Sequence, residues 1–413
     1  MADKLKSVLI VGFNTRPLAY SLNEAGYKVY AVDFFGDLDL YSCVKDSIII
    51  TKKLKKNYNS LKENYGTFLI QYTLQLLHKY KDIQLLLIGS GLDDDYEGRK
   101  LIFDEIKKTG TISVNNDLEH IKNARDIEFI FEYLKSQNYR IPNYCSFENY
   151  QSKQFNMQYP FILKKKRSAG GINVLKINNK RNFYSQIEVF KHNSFIPSDW
   201  MIQEYIEGIP VSCTVISNGL ECEIITINRQ LIGETFLYCP KDFMYCGNII
   251  PSNLSIDEEK IISEISINLT NHLRLKGING FDFVLKDHYP YFMECNPRIP
   301  GSIRASESVL NLNLLDLHIK CFEPREWEKI KKLIKSAKPE SFATKLIFFA
   351  PKEIDKTLLP KINNLEFIHD KTEPIKNILK GEPLCTILYE AKNYSDSFNG
   401  AKAIVNKINQ IIG

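Results

Sequence analysis

Apolar positions along this chain follow two rhythms. In residues 7–11, Ser-Val-Leu-Ile-Val, they are continuous, as in a strand buried on both faces. Spacings of three and four then carry Leu18, Leu22 and Ala25 to Gly26, which predicts a helix with a glycine stop. A second apolar run, 28–32, ends in Asp33. Strand, helix and strand in that order predict a βαβ opening. Further strands are expected at 47–50 and 83–88, with a helix over 66–80 between them. The opening of the chain, to about residue 110, reads as an open α/β domain built on a parallel sheet.

Beyond it the rhythm changes. A helix is expected over 123–137, with Ile127, Ile130, Phe131 and Leu134 on one stripe. Strands are expected at 159–164, 174–177 and 201–206. Runs 211–216 and 221–227 alternate and pair across Asn218-Gly219, a hairpin turn dipeptide, and 229–236 continues the sheet. An amphipathic helix over 257–273 buries Ile261, Ile262, Ile265 and Leu269. Two short apolar runs, 281–285 and 291–293, flank a polar turn at 286–290 and predict an antiparallel hairpin. Helices follow at 311–321 and 326–336. The tail, 340–413, holds strands at 342–350 and 384–389 and a closing helix over 396–411. The fold class is therefore α/β at the start and α+β in the middle and tail.

Candidate chemistry lies on these elements. Asp282 is on the first strand of the hairpin, Glu294 and Asn296 at the end of the second. Residues two apart on a strand share a face, and a hairpin brings Asp282 opposite them. Two carboxylates and an amide oxygen, with Arg298 just beyond, suit Mg²⁺ (or Mn²⁺), whose shell is completed by water and nucleotide phosphate. A hairpin with a merely polar outer face gives the same pattern. Lys164 ends a strand, and Ser-Ala-Gly-Gly-Ile-Asn at 168–173 precedes the return strand. Such a flap, here with Ser168, Gly170 and Gly171, can cradle phosphate with backbone N–H groups, and Lys165, Lys166 and Arg167 raise the local potential. A hairpin turn with solvated lysines is the alternative. Arg16, beside a helix N-terminus, can hold a carboxylate or phosphate; plain capping explains the same residues. No Gly-x-Gly-x-x-Gly follows the first strand, so a dinucleotide fingerprint is absent. The lone Gly89-x-Gly91 lies at the ligand edge of the expected parallel sheet.

Taken in order, the Pro160-x-Ile162-x-Lys164 strand with its Gly-rich flap, the strand 201–206 and the Glu294-x-Asn296-x-Arg298 hairpin resemble the ATP-grasp superfamily. That superfamily includes biotin carboxylase, D-alanine–D-alanine ligase and the carbamoyl-phosphate synthetase large chain. The opening, from Gly-Phe-Asn-Thr-Arg-Pro-Leu-Ala to Asp-Phe-Phe-Gly-Asp-Leu-Asp-Leu, looks close to a branch of uncharacterised, mostly archaeal ligases. The resemblance implies a Rossmann-like N-terminal domain over 1–110, an ATP-grasp domain over 111–335 with its flap at about 145–205, and a small C-terminal domain over 336–413. It implies Mg²⁺–ATP held by Asp282, Glu294 and Asn296, with Arg298 stabilising the transferred phosphoryl group. ATP phosphates would sit under Lys164 and the flap. Adenine would be clamped at Gln203 and Glu204, with Tyr205 and Ile206 beside the ring, and substrate carboxylate would meet Arg16, Ser302 and Arg304.

The activity implied is ligation. A carboxylate is phosphorylated by ATP and an amine attacks the acyl phosphate, releasing ADP and phosphate. Two positions depart from the family pattern. The usual Asp-Lys at the start of the linker helix reads Asp126-Ile127, leaving Lys122 or Arg125 to substitute, and the ribose-binding Glu is replaced by Pro210. After Arg298 the chain reads Ile-Pro-Gly-Ser-Ile-Arg and lacks the Gln-Val-Glu-His run of biotin carboxylase, which favours an amine acceptor over bicarbonate. A bicarbonate-activating carboligase and a non-catalytic nucleotide-binding regulator are the alternatives. Dimers are common in the family.

Composition narrows the setting. A net charge of +5 over 413 residues is too small for a dedicated nucleic-acid binder. No apolar window reaches the length of a membrane span. Nine cysteines without CxxC or zinc spacing read as free thiols of a reducing cytoplasm. The apolar run 8–11 is too short for a signal peptide, so a cytoplasmic protein is expected.

Overall fold

The continuous apolar runs at the start of the chain become a parallel sheet. The computed structural model describes residues 6–56, 58–61, 64–151, 157–167, 170–191 and 195–413. Strands β1 (Ser7–Gly12), β2 (Lys28–Asp33), β3 (Asp46–Ile49), β4 (Leu85–Ile88) and β5 (Ile112–Ser113) lie in the order β3-β2-β1-β4-β5, all parallel. Alternate side chains of β1 enter different cores: Val8 and Ile10 join Leu18, Leu22 and Val29, while Leu9 and Val11 join Tyr30, Phe34 and Leu86. Burial on both faces is what made the runs continuous rather than alternating.

A four-stranded antiparallel sheet follows: β6 (Tyr144–Ser146), β7 (Phe161–Lys165), β8 (Val174–Ile177) and β9 (Trp200–Glu204), in the order β6-β9-β7-β8. Helix Lys180–Lys191 covers it over a core of Phe147, Phe161, Phe183 and Trp200.

The third sheet has eight strands. They are β10 (Ile209–Asn218), β11 (Cys222–Ile232), β12 (Tyr245–Ile250), β13 (Lys276–Lys286), β14 (Tyr289–Asn296), β15 (Phe342–Phe349), β16 (Ile368–His369) and β17 (Pro383–Ala391). Their order is β14-β13-β10-β11-β12-β15-β17-β16. The strands of the tail thus extend the same sheet through the β12–β15 pairing. One face of β10, β13 and β14 packs Cys213, Phe281, Phe283 and Phe292 against helix Ile256–His272. That helix opens with a complete capping box, Ser255 and Glu258.

Three expectations need correction. The helix read over 123–137 is two helices, Leu118–Ala124 and Ile127–Ser136, because the Asp126 side chain caps the second by accepting from the Phe129 N–H at 3.1 Å. The helix read over 311–321 begins only at Leu314; Asn311, at φ +51°, ends a separate helix, Ile303–Leu310, whose polar residues hid it. Strand β12 was not read at all, its apolar run being cut by Gly247 and Asn248. Among the described residues no helix is long and apolar enough to cross a membrane, and all nine cysteines are free thiols.

Candidate active site

The β13–β14 hairpin turns through Asp287 and His288, both at positive φ, and its register places Asp282 directly opposite Glu294 and Gly280 opposite Asn296. The Asn296 amide donates to Asp282 Oδ2 at 2.9 Å, and the Gln230 amide to Asp282 Oδ1 at 2.8 Å. Burial, then the neighbouring Glu294 carboxylate, push the Asp282 carboxyl up to about 7, against Arg298 and the two amide hydrogen bonds. Glu294 is met by Arg125, whose Nη1 lies 2.5 Å from Oε1 and 3.2 Å from the Cys295 carbonyl. Arg125 also forks onto Asp94, Nε at 3.0 Å and Nη2 at 3.1 Å.

Lys164, near the end of β7, lies close enough to the hairpin to feel the charge of Glu294 and of Arg125. Burial pulls its ammonium down to about 8, against the Glu294 carboxylate, which raises it; Arg125 acts in the same direction as burial. The flap beyond Lys164 turns at Gly170 and Gly171, with φ of +67° and +73°. It lies down on the loop before β12: a Cβ at Gly171 would come within 1.8 Å of the Phe243 carbonyl oxygen, and Lys241 Nζ donates to the Ile172 carbonyl at 3.0 Å. Ser168 lies outside the described residues. Lys166 pairs with Glu128 at 3.1 Å, and Arg167 stacks over Tyr96.

On β9, Gln203 is buried, and its Oε1 has no hydrogen-bond partner among the described residues; its amide nitrogen contacts Met293 Sδ at 3.5 Å. Glu204 is committed elsewhere: its carboxylate accepts from the Asn143 N–H and side chain at 3.1 and 2.8 Å. Ile206 is buried, and the Lys176 ammonium sits 3.7 Å from the Tyr205 ring centroid. Pro210 lies in β10 opposite Val284.

The candidate substrate residues are spread differently. Arg298 donates through Nε to Asp93, in the loop after β4, at 2.5 Å. Arg304 pairs with Glu307 at 2.5 Å and stacks on Tyr20. Ser302 is buried, its Oγ 3.4 Å from the Asn228 amide. Arg16 is buried and donates through Nε to Asp370 Oδ1 at 2.7 Å, with Asp39 at 3.5 Å.

A row of polar side chains that sequence reasoning missed crosses the large sheet. The pairings run from Glu294 to Asp282, Asp282 to Ser212, Ser212 to Asn228, Gln230 to Asn248 and Asn248 to Lys345. Directly paired residues share a face. Ser212, Asn228, Asn248 and Lys345 are all buried. Their only sequence trace is a polar residue at alternate positions of otherwise apolar strands.

A divalent cation fits the hairpin end of this row. Arg125 already meets Glu294, while the buried Asp282 carboxyl, its proton affinity still raised by burial and by Glu294, would be relieved by a further cation. No group of three or more His, Cys, Asp or Glu residues with metal-binding geometry occurs among the described residues. The donor set is then two carboxylates and an amide, open to phosphate and water. The partnerless Gln203 oxygen suits an amino-group donor such as that of adenine.

Residues 125–302 match the family model of the ATP-grasp domain. An uncharacterised protein of Methanocaldococcus jannaschii is 28% identical over 97% of this chain and 90% of its own. D-alanine–D-alanine ligase of Flavobacterium psychrophilum is 26% identical over 34% of this chain and 42% of its own. Among solved structures, L-amino acid ligase from Bacillus licheniformis superimposes with a TM-score of 0.69 at 14% identity, covering 98% of each chain. A biotin carboxylase–ATP-analogue complex from Campylobacter jejuni gives 0.70 at 14% identity, over 99% of this chain and 96% of that one. At these identities the structural likeness speaks for the fold.

Proposed function

We propose, for a chain whose residues 125–302 match the ATP-grasp domain model, that it is an ATP-dependent carboxylate–amine ligase acting through an acyl phosphate. The observation that carries this reading is the hairpin register that brings Asp282, Glu294 and Asn296 together, with Lys164 within electrostatic reach of Glu294.

Asp282, Glu294 and Asn296 would hold Mg²⁺, which when bound neutralises charge on the β- and γ-phosphates of ATP. Lys164 supplies a point charge on the phosphates, and Gly170 and Gly171 bring flap backbone close to them. Gln203 accepts from the adenine amino group, with Ile206 beside the ring. Glu204 works at one remove, holding Asn143 and with it the start of β6. Arg125, which holds Glu294, takes over the role of the missing linker lysine in this reading.

A substrate carboxylate oxygen then attacks the γ-phosphorus in line with departing ADP. Arg298, within electrostatic reach of Asp282, would stabilise the charge spread over the transferred group. Its tie to Asp93 fixes its guanidinium rather than leaving it to find the substrate. Amine attack on the acyl phosphate forms the amide and expels phosphate. The flap lying on the 241–244 loop keeps water from the acyl phosphate.

The test is substrate-stimulated ADP release from Mg²⁺–ATP with panels of carboxylates paired with amines, and separately with bicarbonate. Stimulation by a carboxylate–amine pair is expected. Stimulation by bicarbonate alone would assign the carboligase chemistry instead, and no stimulation by any pairing would leave a nucleotide-binding regulator.

A further inference from the structure

The polar row does not stop at Lys345. Its buried ammonium donates to the Gly301 carbonyl at 2.7 Å; burial pulls it down to about 8, against Asp370, which raises it, and with Arg16, which lowers it further. Asp370, at positive φ after β16, takes Arg16 Nε at 2.7 Å. Around this pair the loop after β2 places three more carboxylates, Asp33, Asp37 and Asp39. This is the carboxyl edge of a parallel sheet, where open α/β folds bind ligands.

Two of the three have their hydrogen bonds made. Asp33 accepts from the Thr15 N–H and hydroxyl at 2.6 and 2.8 Å and from the Gly36 N–H at 2.6 Å. Asp39 accepts from the Asp370 and Lys371 N–H groups at 3.1 and 2.9 Å. Asp37 differs. It is 7% exposed, and its Oδ2 is buried with no hydrogen-bond partner among the described residues. It occupies the N-cap position of the turn Leu38–Cys43, yet its side chain does not cap. The Leu38 N–H goes to the Lys371 carbonyl instead. An aspartate at an N-cap ordinarily accepts from the helix end. This one faces Asp370, Asp33 and Asp39, with Arg16 the cation among them, and burial and those carboxylates raise its proton affinity strongly. Four carboxylates stand here against Arg16 and Lys345, so the junction lacks positive charge.

We infer that this junction binds a positively charged nitrogen of a substrate, a primary ammonium, with Asp37 as the carboxylate that receives it. An ammonium brings three donors to an acceptor that has none and supplies the missing charge. The row from Lys345 through Asn248 to Asp282 puts the junction and the phosphoryl-transfer end on one face of one sheet. The substrate would present its reacting group to the hairpin and its ammonium to Asp37. Naming the bound molecule a substrate rests on the ligase reading; the binding itself does not.

The experiment is calorimetric titration of the full chain without nucleotide, using paired probes: L-alanine against L-lactate, β-alanine against propionate, and putrescine against butanediol. At least one aminated probe should bind, with its uncharged counterpart weaker by about tenfold or more. Asp37→Asn should weaken that binding by a similar factor and leave ATP affinity unchanged. Binding by none of the aminated probes, equal binding of charged and uncharged partners, or unaltered binding in Asp37→Asn would each overturn the inference. Should Asp37→Asn fail to fold by circular dichroism, the paired titrations on the unaltered chain decide. ADP release stimulated by substrates without an ammonium would sink this inference while leaving the ligase reading in place.

Discussion

Asp282 carries its charge at a cost, because it is buried beside Glu294. Its carboxyl titrates at about 7 against an ordinary 3.8, so the folded protein binds more protons than the unfolded chain between those values. Stability contributed by this group is therefore present below about pH 4 and is lost as pH rises towards 7. Melting curves of the metal-free protein should show that fall, and Asp282→Asn should remove a share of about 1–2 kcal/mol of it. An identical slope in the variant would place the titration elsewhere. Glu294→Ala should lower substrate-stimulated ADP release by about a hundredfold or more. Its circular dichroism should not change, since Arg125 keeps its fork on Asp94. Full activity in this variant would refute the cation assignment. The convergence of Asp282, Glu294 and Asn296 was legible because oxygen donors at alternate positions of a hairpin leave a trace in the sequence. That Glu204 serves Asn143 was not, because its partner lies 61 positions away.

The flap and the strand pairings belong to the element scale. Gly170 and Gly171 both hold positive φ, but of the two Gly171 lies against a backbone carbonyl, whereas a Cβ at Gly170 would meet nothing within 4 Å among the described residues. Gly170→Ala thus carries the conformational strain alone, and Gly171→Ala adds the collision with Phe243. Gly171→Ala should lose about tenfold more in kcat/KM for ATP than Gly170→Ala, equivalent to about 1.4 kcal/mol. Equal losses in steady-state kinetics would mean that the flap does not seat on the 241–244 loop during turnover. Elements were readable where a single period ran long, as in helix Ile256–His272. They were misread where a cap interrupted the period, as at Asp126, or where polar residues replaced the apolar ones, as in β12 and helix Ile303–Leu310.

At the scale of the whole molecule, the first domain and the tail are joined through charge as well as apolar contact. Arg16 from the start of the first helix meets Asp370 from beyond β16, with both side chains almost fully covered. Removing one partner of such a pair strands a buried charge. Arg16→Met should therefore cost about 3–5 kcal/mol and lower the melting temperature by several degrees. Arg16→Lys should recover part of the loss. A melting temperature equal to that of the unaltered protein would show that the Asp370 charge is satisfied by Lys345 alone.

Local sequence determined most strands and helices, the flap and the metal-type hairpin, since each follows from spacing within about twenty residues or fewer. Which carboxylates meet which cations was decided only by the fold. Asp93 reaches Arg298, Asp94 reaches Arg125 and Asp370 reaches Arg16 across 205, 31 and 354 positions. These pairs join loops and helix ends that only the packing of distant elements brings together. Register does the same for the polar row: antiparallel pairing of distant strands lines up single polar residues, each unremarked in its own apolar run. Hydrophobic periodicity specifies which face of a strand is buried, and it is silent on which strand lies alongside.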